Sequence, residues 1–284
     1  TMGLTLGAAT LGIRAFPGEH RMISEYPLNF DDVFKPVENP LGRPVTAITC
    51  GAGARGNVYG NYAVSFPDQV RIVGVAEPIA VRNDRYAAKH GIPDENRFPT
   101  WERVFDRPKF ADAIIITMPD HLHYEPCIRA MEMGYDVLLE KPMAQTAAQC
   151  REILSVSRKT GRIVAVCHVL RYAPYFIKMR SLIQDGAIGE LISIQHLEPI
   201  EHIHMSHSYV RGNWHNSKET TPIILAKSCH DLDILRWMIG RPSKSIAAMG
   251  SLKWFRKENA PAGSTERCMG GCSMEADCPY SALK

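Results

Sequence analysis

The stretch VTAITCGAGARG, residues 45–56, decides how this chain folds. A short run of apolar and β-branched residues passes directly into Gly51, Gly53 and Gly56, in G-x-G-x-x-G spacing. After a strand, the first glycine of this pattern allows a tight turn, the second lets the backbone approach a pyrophosphate, and the third lets a helix pack on the strand. The stretch therefore predicts a dinucleotide-binding turn between a strand and a helix, with the three glycines and Arg55 next to the phosphates.

The next apolar run, VRIVGVA at 70–76, ends at Glu77, 21 residues after Gly56. An acid at this place accepts hydrogen bonds from the adenosine ribose diol and repels a 2′-phosphate. Glu77 therefore predicts NAD as the cofactor, while Arg82 nearby leaves NADP as the alternative.

Three further apolar runs follow, ADAIIITM (111–118), YDVLLE (135–140) and RIVAVCHV (162–169), with helical patterns between the runs. Their nearly continuous apolar character is typical of parallel strands covered on both faces. The alternation predicts an α/β fold, with a doubly wound parallel Rossmann sheet over residues 45–169 and right-handed crossovers. Residues 1–44 show no sustained period and are predicted to be an N-terminal extension.

The pattern changes after residue 170. The segments ELISIQHLEPI (190–200) and SIAAMGSLKWF (245–255) predict longer strands, and CHDLDILRWMIG (229–240) predicts a helix between them. We therefore predict a second, α+β domain over residues 170–284, with a sheet of its own.

Two polar stretches follow core strands. MPDHLH (118–123) places Pro119 and Asp120 at a carboxyl strand end, where ligands bind in open sheets, and His123 is a further candidate cofactor contact. An exposed position in the first turn of the next helix is the alternative for His123. VLLEKP (137–142) ends in Glu140 and Lys141, with Glu140 predicted to hold the turn or a ribose.

Lys141 could act in two ways. When charged it would polarise a reacting oxygen, and with a pKa lowered by burial it would exchange the proton itself. A surface ion pair between Glu140 and Lys141 is the alternative interpretation.

The segment AKSCHDLDILRW (226–237) carries a second group of polar residues. Ser228 and Asp231 have capping-box spacing, which places His230 in the first helical turn. The positive end of the helix dipole disfavours imidazolium, so a neutral His230 would accept a proton, and Asp233 could orient it. The same pattern predicts a buried helix face formed by Leu232, Leu235 and Ile239.

The segment EHIHMSHSYVRGNWH (201–215) is rich in histidine. His202 and His204 would share a strand face, but no carboxylate or thiol spacing completes a metal site, so we predict none. A polar cleft for a hydroxyl-rich substrate is the better interpretation, with Arg211 and Trp214 among its residues.

Composition limits the remaining classes. The chain has 284 residues and a net charge of +3, with 45% hydrophobic residues, so nothing indicates nucleic acid as a partner. No apolar stretch reaches the ~20 residues needed to span a bilayer. Most cysteines are scattered in apolar surroundings, as in reduced cytoplasmic proteins, and Cys268, Cys272 and Cys278 match no standard metal spacing.

With GAGARG, MPDHLH, LLEKP and HDLD in this order over residues 45–255, the chain resembles the glucose–fructose oxidoreductase/inositol dehydrogenase (Gfo/Idh/MocA) family. The resemblance implies NAD(P) on the Rossmann domain and a second domain built on a large, mostly antiparallel sheet that supplies substrate contacts and homo-oligomer interfaces. It also implies a catalytic Lys141, a proton-exchanging His230, and Arg171 of RYAP (171–174) near the substrate.

The chain departs from the family pattern in two ways. Many members carry an aspartate four residues before the histidine, where this chain has Ala226, so Lys227 is a candidate replacement. Members usually continue well past residue 284, which implies a fragment or a second sheet that is incomplete at the C-terminus.

The sequence thus predicts an NAD(P)-dependent oxidoreductase acting on a secondary alcohol of a sugar, inositol or related polyol. His230 would take the hydroxyl proton while Lys141, assisted by Lys227, stabilises the alkoxide. Two alternatives stay open. One is an NAD-dependent glycosidase with tightly bound cofactor, and the other is a non-catalytic, nucleotide-sensing regulator.

Overall fold

The computed structural model of the chain describes residues 41–283, so the predicted N-terminal extension lies almost entirely outside the described residues. All described strands form one parallel sheet in the order β3-β2-β1-β4-β5-β6, which is the Rossmann order. The strands are β1 Val45–Cys50, β2 Val70–Ala76, β3 Arg97–Phe98, β4 Ala113–Ile116, β5 Asp136–Leu139 and β6 Val164–Val166. The predicted parallel α/β sheet is confirmed, and only the two-residue β3 was missed.

The pairing register brings the carboxyl ends of the central strands level with one another. Cys50, the last residue of β1, pairs with Ala76 at the end of β2 and with Ile116 at the end of β4. Ile116 in turn pairs with Leu139 at the end of β5. The segments after these strands therefore meet at one edge of the sheet.

Helices connect the strands and cover both faces of the sheet. They are α1 Ala54–Ser65, α2 Ala80–His90, α3 Tyr124–Glu132 and α4 Ala147–Thr160. Gly91 and Gly161 end α2 and α4 in the left-handed region, at φ 64° and 68°, where glycine carries no steric penalty. Fully buried Ile48, Ile114 and Ile116 belong to the larger of two apolar cores around the sheet.

The second half of the described chain is helical and irregular. Its helices are α5 Pro174–Gln184, α6 His202–His204, α7 Ile223–Ala226 and α8 Cys229–Ile239, and a π-helical turn spans Met205–Val210. A third apolar core joins α5 to α8 through Phe176, Ile177, Ile234, Trp237 and Met238.

The large second sheet is not confirmed. Neither 190–200 nor 245–255 forms a strand, and most apolar side chains of these segments are exposed to solvent, Ile192 at 86% and Met249 at 101%. An alternating pattern shows which face a strand would bury, but a strand forms only when a neighbouring backbone accepts its hydrogen bonds. Neither segment is paired in this way within the described residues.

Three local predictions around α8 and α6 were wrong. Leu232 and Ile239 are 54% and 46% exposed, and the face with Ile234 is buried instead, because both faces of α8 are apolar and packing on α5 selects one. Ser228 is the N-cap residue of α8, as its spacing to Asp231 predicted, but the capping box is not formed, because the Ser228 side chain makes no capping bond. His202 and His204 lie in the short helix α6 rather than on a strand.

All eight cysteines lie within the described residues and are free thiols. Among the helices of residues 41–283, none combines the length and the apolar character that crossing a membrane requires.

Candidate functional site

The glycine-rich turn leaves β1 in a conformation that only glycine fits well. Gly51 has φ +98°, and a Cβ there would lie 2.9 Å from the carbonyl carbon of Thr117, the residue after the neighbouring strand β4. A Cβ on Gly56 would lie 2.1 Å from the carbonyl oxygen of Gly51, so Gly56 lets α1 start against the turn. A Cβ on Gly53 would meet only the Arg82 guanidinium, at 4.0 Å. Gly53 therefore keeps open the side of the turn that faces away from the protein.

The start of α1 fits the pyrophosphate of a dinucleotide. Gly53 is its N-cap, no side chain caps the helix, and no acid lies in its first turn. The first N–H groups of a helix need acceptors, and the helix dipole favours an anion there. Arg55 adds a positive charge in that turn. Residues 51–56 thus offer a cradle for phosphates.

Glu77 lies beside this cradle, at the carboxyl end of β2. Its side chain is buried and accepts hydrogen bonds from the backbone N–H groups of Ala52 (2.8 Å) and Ile79 (3.0 Å). The side-chain amide of Asn83, on α2, donates a hydrogen bond to the backbone carbonyl oxygen of Glu77. The carboxylate is therefore fixed next to the turn, where the sequence predicts the adenosine ribose.

Glu140 joins the turn to the carboxyl end of β5. One carboxylate oxygen accepts from Arg55 Nε at 2.6 Å and from the Tyr59 hydroxyl at 2.8 Å, and the other accepts from the Lys141 N–H at 2.9 Å. Burial raises the pKa of Tyr59, so the hydroxyl stays a donor. Arg55 and Glu140, both predicted to contact the cofactor, contact each other, and Tyr59 is a member of the site that the sequence analysis missed.

Two residues of the stretch after β4 have different partners, since Asp120 bonds to a predicted substrate residue and His123 bonds to the backbone. Asp120 is buried and accepts a hydrogen bond from the Trp214 indole N–H at 2.9 Å, which brings a predicted substrate residue to this edge. Pro119 precedes it and is exposed. The ring nitrogens of His123 lie 2.8 Å from the Pro142 carbonyl oxygen and 2.9 Å from that of Met118. His123 thus ties two strand ends together, and neither ring nitrogen is left for a cofactor.

Lys141 reaches from β5 into the second half of the chain. Its ammonium donates a hydrogen bond to the Ala226 carbonyl oxygen at 2.9 Å, at the end of α7. His230 follows in the first turn of α8, as predicted from the sequence. Burial, and next the charge of Lys141, lower the pKa of His230 to about 4, so the ring is neutral near pH 7. The two residues with the strongest chemical signal therefore lie close enough to interact.

His168 completes this cluster and was not among the sequence predictions. It lies two residues after the end of β6, and its ring centroid lies 6.2 Å from that of His230 at an interplanar angle of 83°. A signal was present, since His168 is a polar residue near the carboxyl end of an apolar run, at the sheet edge where ligands bind. Burial lowers the pKa of His168 as well.

Arg171 and Asp233 hold each other. The Arg171 guanidinium donates to both Asp233 carboxylate oxygens, at 2.7 and 2.5 Å, in the two-pronged geometry that favours arginine. Asp233 was expected to orient His230, but His168 is the imidazole near it, with Nδ1 3.7 Å from the carboxylate. Arg171 and Asp233 thus form one wall of the cluster.

Other predicted residues have different partners. Lys227 pairs with Glu198 at 2.8 Å, while its charge contributes to the lowered pKa of His230. Arg211 donates to the Tyr280 carbonyl oxygen and is exposed. No structural feature of Arg211 connects it with the cluster around Lys141.

One group of side chains has the composition of a metal site. Ligand atoms of His196, Glu198 and Asp231 lie within 4.8 Å of one another. However, His196 Nε2 is hydrogen-bonded to the Asp231 carboxylate at 2.8 Å, and the Glu198 carboxylate forms an ion pair with Lys227. The three side chains therefore already have partners within the protein. The contact with His196 also replaces the capping role that the sequence predicted for Asp231.

Comparison with known proteins gives a consistent picture. The oxidoreductase family with an NAD-binding Rossmann fold (Gfo/Idh/MocA) matches residues 45–168, and the C-terminal domain of the same family matches residues 176–270. The chain is 27% identical over 207 residues to the 1,5-anhydro-D-fructose reductase of Ensifer adhaerens, covering 72% of this chain and 59% of the reductase.

Two solved structures share the fold. The myo-inositol 2-dehydrogenase of Lactobacillus plantarum superposes with a TM-score of 0.60 at 22% identity, over 70% of this chain and 57% of the other. The WlbA dehydrogenase of Chromobacterium violaceum, solved with NADH and UDP-GlcNAcA, gives a TM-score of 0.58 at 19% identity, over 72% and 57%. The chain thus spans roughly half the length of the relatives that it matches.

Proposed function

The chain belongs to the Gfo/Idh/MocA family of oxidoreductases, and from that premise we propose that it transfers a hydride between NAD and a secondary alcohol of a sugar, inositol or related polyol. The observation that carries the proposal is the position of Lys141, whose ammonium bonds to the Ala226 carbonyl oxygen at 2.9 Å, close to a neutral His230 and beside the phosphate cradle. NADP is the alternative cofactor, because Arg82 lies at the turn.

The nicotinamide ring, when bound, accepts or returns the hydride at C4. The protein handles the proton and the charge on oxygen. Neutral His230 takes the hydroxyl proton as the C–H bond breaks, and the carbon–oxygen bond becomes a carbonyl. The ammonium of Lys141 donates to the oxygen while it carries negative charge, which stabilises the transition state more than the ground state.

Lys227 assists from the position next to Ala226, where many relatives have the aspartate. Its positive charge lowers the pKa of His230 and so favours the neutral form of the ring, which has a free acceptor nitrogen. Glu198 in turn holds Lys227. In this proposal Lys227 sets the proton affinity of the base rather than exchanging the proton.

The remaining roles follow the same proposal. Residues 45–169 bind the cofactor, and residues 170–284 contribute to substrate binding and to a homo-oligomer of a cytoplasmic enzyme. Trp214, Arg171 and Asp233 border the substrate, whereas Arg211 is placed there by the sequence pattern alone.

The experiment measures NADH and NADPH binding by nucleotide fluorescence and then NAD reduction with a panel of polyols that includes myo-inositol and D-glucose. We expect selective NADH binding, polyol-dependent NAD reduction, and a loss of turnover of at least about a hundredfold in Lys141→Ala with NADH affinity retained. Hydrolysis of an aryl glycoside without net NADH formation would instead indicate the glycosidase. Nucleotide binding without any turnover, unchanged by Lys141→Ala, would indicate the regulator.

A further inference from the structure

His168 has a fixed backbone position at the edge of the sheet. Its N–H donates to the Val166 carbonyl oxygen at 2.8 Å, and its own carbonyl oxygen accepts from the Arg171 N–H at 3.1 Å. These two bonds fix the main chain of His168 in the turn. Because β6 is paired with β5, the ring stands beside the strand end that carries Lys141.

The ring of His168 has an unsatisfied nitrogen. Nδ1 is buried and has no hydrogen-bond partner among the described residues. The nearest carboxylate is that of Asp233, at 3.7 Å, which is too long for a hydrogen bond, and both of its oxygens already accept from Arg171. Buried polar atoms are nearly always hydrogen-bonded, so an unpartnered ring nitrogen at the edge of the sheet where ligands bind indicates a missing partner.

His230 shows the same property. Its Nδ1 is also buried and unpartnered among the described residues. The two rings lie edge to face with their centroids 6.2 Å apart. Two neighbouring imidazoles thus each have an unused nitrogen, and the charge of Lys141 acts on both rings.

The chemistry of the two rings selects the kind of ligand. Burial lowers the pKa of each ring, so both are neutral near pH 7. A neutral imidazole has one donor and one acceptor nitrogen, which matches a hydroxyl, also a donor and an acceptor. Carboxylates and phosphates prefer arginine or charged histidine, and the Arg171 guanidinium is already occupied by Asp233.

We propose that His168 binds the hydroxyl next to the one that His230 deprotonates, so that His168 selects substrates with vicinal hydroxyl groups. This inference rests on the proposed function and adds a specificity residue to it. In this proposal His168 contacts the substrate directly but takes no part in the transfer of the hydride or of the proton.

The test compares His168→Phe, which keeps a ring but no nitrogen, with His168→Asn, whose amide can reach the place of Nδ1. Both are made in the full chain, and NADH affinity checks that each folds. We expect kcat/KM for myo-inositol to fall at least about tenfold in His168→Phe, mainly through KM, and about threefold or less in His168→Asn.

A second measurement separates hydroxyl recognition from packing. Inhibition of wild-type turnover by trans-1,2-cyclohexanediol is expected to be stronger than inhibition by cyclohexanol, and this preference should vanish in His168→Phe. A His168→Phe enzyme with unchanged kcat/KM overturns the inference, as do equal losses in both variants or an unchanged preference for the diol. A wild-type chain that binds NADH but oxidises no polyol overturns the proposed function itself, and the inference falls with it.

Discussion

The guanidinium of Arg55 lies 2.6 Å from a carboxylate oxygen of Glu140, so an ion pair joins the start of α1 to the end of β5. Arg55 is 43% exposed at this contact, whereas the Glu140 side chain is only 6% exposed. The pair is therefore asymmetric. The buried Glu140 carboxylate has lost most of its hydration and depends on its hydrogen-bond partners to offset that loss. The Arg55 guanidinium is still partly hydrated.

Arg55→Ala should lower the free energy of unfolding by about 1–2 kcal/mol, because it removes one charged partner from a buried carboxylate that keeps Tyr59 and the Lys141 N–H. Urea denaturation measures the loss. Arg103→Ala is the matched control, since the Arg103–Asp106 pair is 68% and 52% exposed and should cost less than about 0.5 kcal/mol. Equal losses in the two variants would contradict a structural role for the Glu140 contact.

The glycines of the turn should separate folding from binding. Gly56→Ala places a Cβ 2.1 Å from a backbone carbonyl oxygen and is expected to destabilise the fold by about 3 kcal/mol. Gly53→Ala has φ −75° and open space, so its stability should stay within about 1 kcal/mol of wild type. NADH affinity should nevertheless fall about tenfold or more in Gly53→Ala, because the methyl group occupies the approach of the pyrophosphate. Unfolding curves and fluorescence titration with NADH check the pair, and unchanged affinity in Gly53→Ala would contradict the cradle.

Glu77 and Arg82 should set the choice of nucleotide. Glu77→Ser removes the acceptor for a ribose diol, so NADH affinity is expected to drop about tenfold and the gap to NADPH to narrow. Arg82→Ala should weaken NADPH and leave NADH within about twofold, since only the 2′-phosphate needs the charge. Titrations with both nucleotides decide the matter. A parallel drop for NADH and NADPH in Glu77→Ser would show that Glu77 only holds the turn through Ala52 and Ile79.

His230 should make the fold less stable in acid. Burial lowers its pKa in the folded state from 6.5 to about 4. As pH falls below about 6.5, the unfolded chain takes up a proton at His230 that the folded chain takes up only near pH 4, so stability declines across that window. Urea denaturation at pH 7.5 and pH 5 should therefore show that the free energy of unfolding falls less between these pH values in His230→Asn than in wild type. His207→Asn, at an exposed position, is the control and should decline as wild type does.

The packing of α8 should distinguish two neighbouring apolar residues. Ile234 is 2% exposed and belongs to the core with α5, whereas Leu232 is 54% exposed. Ile234→Ala should cost about 3 kcal/mol of the free energy of unfolding, and Leu232→Ala less than about 0.5 kcal/mol. Thermal or urea unfolding gives the comparison. The reverse order would restore the helix face that the sequence pattern predicted.

Features encoded within a few residues were predictable from the sequence. The strand, the glycine spacing and the following helix of residues 45–65 depend on local backbone geometry, and the apolar runs mark strands that are covered on both faces. The position of Lys141 followed directly, because a parallel sheet brings its carboxyl strand ends to one edge.

Contacts between distant parts of the chain were not predictable. Tyr59 and Glu140 are 81 positions apart, and Asp120 and Trp214 are 94 positions apart, so no pattern in one segment indicates the other. The alternation in 190–200 indicated a strand, yet strand formation depends on a partner outside the segment. Helix α8 has apolar residues on two faces, so its sequence alone does not show which face is buried. Packing against α5 determines it.

The hydrogen bond from Lys141 to Ala226 runs between the nucleotide-binding half of the molecule and the helical half. The phosphate cradle, Glu77 and Glu140, which we propose to bind the nucleotide, all belong to the first half. The position of the Lys141 ammonium, by contrast, depends on how the two halves pack against each other. Under the proposed function, we therefore expect changes confined to α7 and α8 to alter substrate choice or rate and to leave the nucleotide preference unchanged.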